Sequence, residues 1–85
     1  MNVSRNGQRV LHVLAQGGLI RHYKNGTGHI VEVECLTREG WRLTLCTLDL
    51  FRSLRRRGLV ASVNGGPYRI TRLGLDVVRS RPDNR

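Results

Sequence analysis

Three histidines and two cysteines are the residues of this 85-residue chain that could hold a metal or serve as nucleophile and base: His12, His22, His29, Cys35 and Cys46. Zinc sites announce themselves through paired spacings such as C-x2-C, because four ligands must close on one ion. The spacings here match no such template, so structural or surface roles are expected for all five, with no metal. A cysteine nucleophile needs a neighbouring base, and the sequence singles none out. Cys35 falls on the apolar side of a predicted strand and reads as a small buried thiol; Cys46 ends the next strand, just before Thr47, on the side of Arg42 and Thr44, and reads as structural. Glu32 and Glu34 alternate onto one strand face, where they should meet cations of neighbouring strands rather than form an acid–base pair. Gly17-Gly18 reads as a helix end and Asn64-Gly65-Gly66 as a hairpin turn, not as a phosphate-binding loop. No enzyme and no cofactor are expected on these grounds.

The strongest chemical signal is cationic. The chain carries 15 Lys+Arg against 6 Asp+Glu, a formal net charge of +9, and every cation except Lys24 is arginine. Arginine presents a planar fork that matches phosphate and carboxylate geometry and stacks on aromatic rings. A balance this basic points to nucleic acid, such as duplex DNA, or to an acidic protein surface. A genome rich in arginine codons is the plainer explanation of composition alone. The pattern adds more: Arg52, Arg55 and Arg56 fall on one side of a predicted helix, and Arg55-Arg56-Arg57 are consecutive. Such a run repels itself unless a polyanion offsets it. Asn64, Arg69 and Arg72, on or near a predicted hairpin, could add phosphate contacts, though each reads equally as a turn or surface residue. Trp41 and Tyr68 could stack on bases, but such aromatics read more readily as core or sheet-face residues.

These side chains need elements to carry them. Thr47 is a plausible N-cap, Asp49 sits in the first turn that follows, and Gly58 stands just past the end of the helix. Leu50, Phe51 and Leu54 form the apolar side of that helix, opposite the arginines. A strand over Leu59–Val63, the turn Asn64-Gly65-Gly66-Pro67 and a strand over Tyr68–Ile70 follow. Thr71 can cap a closing helix with Leu75 and Val78 on its apolar side. A helix with a basic outer face followed by a Gly-tipped hairpin is the layout of a winged helix, whose helix enters a groove while the hairpin reaches the backbone.

Upstream, Ser4 can cap a helix running to about Gln16, with Val10, Leu11 and Leu14 as its buried stripe and Val13 at the edge. Gly7 weakens that helix by roughly 1 kcal/mol against alanine, so its start could lie later. Leu19–Lys24, His29–Leu36 and Trp41–Cys46 alternate as strands, joined by turns at Asn25-Gly26-Thr27-Gly28 and Arg38-Glu39-Gly40. Val31, Val33 and Cys35 should share one face, and so should Trp41, Leu43 and Leu45. The predicted order is α-β-β-β-α-β-β-α, in a single α+β, winged-helix-like domain over residues 1–85. A sheet stands where a standard helix-turn-helix has its second helix, which weakens the groove-insertion reading. The tail, Arg79–Arg85, is polar, contains Pro82 and should fray.

Length and composition set limits. A chain of this size holds one small core, and a homodimer would add buried area. The first residues contain no continuous apolar run of the kind a signal peptide needs, and no stretch is long enough to span a membrane. Two cysteines make no disulfide framework without export. The cytoplasm is the expected location.

The chain resembles the YjhX family of small bacterial proteins along its length. The matching stretches are NVSRNGQRVLHVLAQGG at Asn2–Gly18, VECLTREG at Val33–Gly40, CTLDLF at Cys46–Phe51 and SVNGGPYRI at Ser62–Ile70. Gly74-Leu75, Val78-Arg79 and the terminal Asp83–Arg85 complete the match. The resemblance implies the toxin of a type II toxin–antitoxin pair that inhibits bacterial DNA topoisomerase I, with an acetyltransferase-like antitoxin as partner. It supplies no active-site residues. Two other functions fit the residues themselves: a DNA-binding transcriptional regulator of winged-helix type, and a protein–protein adaptor that uses its sheet face.

Overall fold

The computed structural model describes residues 3–80. Its elements are α1 (Arg5–Ala15), β1 (Leu19–Lys24), β2 (Ile30–Leu36), β3 (Arg42–Leu43), α2 (Leu48–Arg56), β4 (Val60–Ser62), β5 (Tyr68–Ile70) and α3 (Arg72–Ser80). The order is the one expected, in a mixed α/β domain. The strands form an antiparallel five-stranded sheet in the order β3-β2-β1-β5-β4.

Short polar side chains start each helix. The Ser4 hydroxyl accepts from the Gly7 N–H at 3.0 Å, the Thr47 hydroxyl from Leu50 at 3.1 Å and the Thr71 hydroxyl from Gly74 at 3.0 Å. Each satisfies one of the N–H groups that a helix start leaves without a partner. Glycine ends α1 and α2 in the same manner. Gly17 and Gly58 have φ of +103° and +75°, and the residue after each donates back to the carbonyl five positions earlier: Gly18 to Val13 and Leu59 to Leu54. A left-handed glycine closing that bond reverses the chain within two residues. Gly7 does not delay α1, which begins at Arg5. A Cβ there would lie 2.6 Å from the Val3 side chain, so the glycine lets the preceding segment fold close to the helix.

Thr71 also ties the second half of the chain together. Its hydroxyl donates to the Gly58 carbonyl at 2.7 Å, and its N–H donates to the Leu59 carbonyl at 3.0 Å. The start of α3 is thereby bonded to the end of α2. Thr71→Val keeps the shape but loses both hydroxyl bonds, and should lower unfolding free energy by about 1–2 kcal/mol. Thr71→Ser should restore most of it; equal urea midpoints for the Val variant and the parent would rule out the tie.

Residues opposite one another in the ladder share a face. Ile20 stands opposite Cys35 and Tyr68, His22 opposite Val33, and Val60 opposite Ile70. This face meets the helices. Val10, Leu11 and Leu14 of α1, Phe51 and Leu54 of α2 and Val77 of α3 join Ile20, Val33, Cys35 and Val60 in the core. The alternate residues turn away, and Arg21, Tyr23, Arg42, Ala61 and Arg69 are exposed on the far face.

Several local expectations are corrected. The third strand is Arg42–Leu43 rather than Trp41–Cys46: the chain turns over Thr44 and Leu45 to bring Thr47 to its capping position. Trp41 is accordingly 73% exposed and belongs to no core face. An irregularity in the β1–β2 ladder between Tyr23 and Lys24 leaves Val31 without a register partner and half exposed, while Ile30 packs on the core instead. Both loops of the meander close through a glycine, with φ +86° at Gly28 and +96° at Gly40. In the first, the Asn25 carboxamide oxygen accepts from the N–H groups of Thr27 and His29, so Asn25 organises the loop by its side chain. The β4–β5 turn has the left-handed pair expected of Asn-Gly, with φ +54° at Asn64 and +74° at Gly65. In α3, Val77 is the buried hydrophobic side chain, with Leu75 and Val78 half-buried beside it. Of the expected frayed tail, Arg79 and Ser80 belong to α3, and residues 81–85 lie outside the described residues.

Candidate nucleic-acid or partner interface

Helical spacing decides which side chains of α2 can meet a partner. Phe51 and Leu54 point into the core at 0% and 1% exposure, so Arg52, Arg55 and Arg56 are directed outward. Arg57 follows as the C-cap residue and is exposed as well. Asp49 is the acid on this helix, in its first turn, where it complements the positive helix end. Arg55 and Arg56 stand in its last turn, where the carbonyl-rich terminus favours cations.

Two of these arginines lie back on the domain. An Arg52 guanidinium nitrogen is 3.5 Å from the Ile30 carbonyl oxygen, and an Arg55 nitrogen is 3.5 Å from the Tyr68 hydroxyl. The Arg55 guanidinium carbon stands 5.6 Å from the Phe51 ring centroid, a cation–π distance. Tyr68 in turn meets Phe51 edge-on at 4.8 Å and His22 at 5.1 Å. Tyr68 therefore works as a half-buried sheet-face residue that connects the basic helix to the core. A base-stacking role is not what this geometry provides for it.

The remaining predicted residues do not all join the ridge. Asn64 is at the hairpin tip and exposed. Arg72 is the first residue of α3 and exposed. Arg69 alternates with the inward-facing Tyr68 and Ile70, so it projects from the far face of the sheet, away from α2. That face carries further cations, the neighbouring-strand partners expected for Glu34. Arg21 lies opposite Glu34, and the Glu34 carboxylate accepts from the Tyr23 hydroxyl at 2.8 Å and pairs with Arg42 at 3.9 Å. The alternation of LIRHYK about Ile20 was the signal that could have placed Arg21 there. Acids thus offset part of the charge on the far face, whereas the α2 ridge has four arginines to one aspartate. A shallow open cleft of about 380 Å³ lies beside the hairpin tip, lined by Leu19, Arg21, His22, Gly65, Gly66 and Pro67.

Among the described residues no three of His, Cys, Asp and Glu gather where they could hold a metal ion. No helix among them is long and apolar enough to cross a membrane.

A family model described as "Putative toxin of bacterial toxin-antitoxin pair" matches residues 1–85. A UPF0386 protein of Chelativorans sp. is 56% identical over 85 residues, covering 100% of both chains. One of Rhodospirillum centenum is 58% identical over 85 residues, covering 100% of this chain and 99% of its own. One of Myxococcus xanthus is 58% identical over 78 residues, 92% of each chain. No solved structure matches the chain. A match over every residue, together with relatives of the same length at more than half identity, means that the chain belongs to the YjhX toxin family, the toxin side of bacterial toxin–antitoxin pairs, and that an antitoxin partner is implied.

Proposed function

We propose that this protein is a non-enzymatic cytoplasmic toxin that binds through the α2 arginine ridge and inhibits bacterial DNA topoisomerase I, either on the enzyme or on its DNA. The observation that supports the binding half is the ridge of Arg52, Arg55 and Arg56, extended by Arg57, with Asp49 as the acid on that helix. Clustered guanidinium groups gain most from a surface that supplies many anionic oxygens at once, and duplex DNA supplies them at regular spacing. The target half rests on the family resemblance, which also points to an acetyltransferase-like antitoxin. Of the two routes, coating the DNA follows more directly from the charge.

A second reading is a DNA-binding regulator of winged-helix type. The β4–β5 hairpin follows α2 directly and joins the sheet through β5 and β1, which favours this use of helix and hairpin together. Arg72 and Asn64 would then add backbone contacts beside the ridge, while Arg69, on the far face, would not.

Supercoil relaxation by purified topoisomerase I separates these readings. The protein is titrated into the reaction at several plasmid concentrations. Inhibition that tracks enzyme concentration and ignores added DNA is expected for a direct inhibitor. Relief by extra DNA is expected for DNA coating. No inhibition at any ratio would overturn the topoisomerase reading.

A further inference from the structure

The sheet is open along one internal seam. β1 pairs with β2 from Leu19↔Leu36 to Lys24↔Ile30, but it meets β5 at one pair, Ile20↔Tyr68. Continuing that register would set Arg21 opposite Pro67 and His22 opposite Gly66. The hairpin has few backbone groups to offer there. Pro67 has no N–H. The Gly66 N–H donates to the Val63 carbonyl at 3.0 Å, and the Gly66 carbonyl accepts from the Ser62 hydroxyl at 2.6 Å. Among the described residues, His22–Lys24 therefore pair on the β2 side alone. Every second residue of such a strand turns its N–H and C=O to the open edge. The cleft of about 380 Å³ lies at this point, with Arg21 and His22 on the β1 side and Gly65, Gly66 and Pro67 on the hairpin side. We propose that this seam takes an extended acidic segment of a partner protein, which pairs with β1 as an added strand beside the hairpin tip.

Both walls of the seam favour an acidic strand. β1 and the hairpin from Val60 to Ile70 contain no aspartate or glutamate, while Arg21, Lys24 and Arg69 are exposed along them. Arg21 and Arg69 project from the far face, and in the continued register they are diagonal neighbours across the seam. Glu34, opposite Arg21 on β2, is already engaged by the Tyr23 hydroxyl and Arg42. His22 lines the cleft, and its buried Nδ1 has no hydrogen-bond partner among the described residues, so a polar group at that wall is still unmet.

The backbone edge decides between a peptide and a nucleic acid. A phosphate backbone matches the cations, but its oxygens only accept and cannot satisfy the free C=O groups of β1. An extended peptide presents both N–H and C=O at the strand's own spacing. Alternation would turn carboxylates at every second position towards Arg21 and Arg69, and small apolar side chains to the other side. The seam is separate from the α2 ridge, so this interaction does not depend on what that ridge binds.

The test titrates the isotope-labelled chain with a capped six-residue peptide of alternating glutamate and valine, and follows amide resonances and hydrogen exchange. Shifts are expected at His22–Lys24, Gly65 and Gly66, with slowed exchange at the amides of His22–Lys24 that face the seam. A lysine–valine peptide should bind at least about tenfold more weakly. Methylating the peptide's backbone nitrogens should also weaken binding by about tenfold or more, because it removes the ladder donors. No shift at about 1 mM peptide, which is weaker than any useful contact, would overturn the proposal. So would shifts confined to α2, equal binding of the lysine peptide, or undiminished binding of the methylated one. Shifts in β1 on concentrating the chain alone would assign the edge to a second copy instead. A duplex oligonucleotide that moves the seam amides while the peptide does not would assign it to nucleic acid. Arg21→Glu should reverse the preference between the two peptides; should that variant not fold, the parent chain with the three peptides still decides.

Discussion

Replacing Arg52, Arg55 and Arg56 together with glutamine is expected to weaken duplex-DNA binding by about 500-fold at 0.1 M salt, if the ridge is the DNA contact surface proposed above. The magnitude follows from counterion release. Each lost phosphate contact removes about 0.9 units from the slope of log affinity against log salt, so three contacts remove about 2.7. Glutamine keeps polarity and a good helix propensity, and all three positions are exposed, so the fold should survive. Arg55 needs a control, because its guanidinium also lies near the Phe51 ring and the Tyr68 hydroxyl. Arg52→Gln with Arg56→Gln, leaving Arg55 in place, should still lower the slope by about 1.8 units. A slope unchanged from the parent would remove α2 as the contact surface. Arg69→Gln offers a contrast: on the far face, it should leave the slope near the parent value.

Phe51→Ala should cost about 4 kcal/mol of unfolding free energy. Phe51 is fully buried, meets Tyr68 edge-on at 4.8 Å and lies beneath Arg55, so truncation loses transfer free energy, opens a cavity and removes an aromatic pair together. A domain of this length holds roughly 4–13 kcal/mol in total. The variant should therefore unfold at low urea concentration or populate unfolded chain in its absence. Phe51→Leu, which keeps most of the apolar volume, should cost about 1–2 kcal/mol. A loss below about 1 kcal/mol for the alanine variant would mean that the ring is not central to the core. If the ridge binds as proposed, the same substitution should also weaken binding, because the ring lies beneath Arg55.

Local signals were legible wherever a few neighbouring residues decide the outcome. Ser4, Thr47 and Thr71 cap their helices, and Gly17 and Gly58 end theirs, because capping and chain reversal involve only the adjacent turn. Period-2 alternation located β1 and β2, and Asn64-Gly65 located the tight turn between β4 and β5. Helical spacing placed Arg52, Arg55 and Arg56 opposite Phe51 and Leu54.

What the sequence by itself determined, then, was the order of elements, the basic ridge and the membership of a family. The tertiary structure decided which faces those elements present. Strand pairing set Arg69 on the far side of the sheet from α2, since a side chain's face depends on register against a distant strand. The turn over Thr44 and Leu45 exposed Trp41 and shortened β3, because delivering the α2 cap outweighed continued alternation. Periodicity records which side of its own element a residue occupies, whereas packing between elements decides what that side meets.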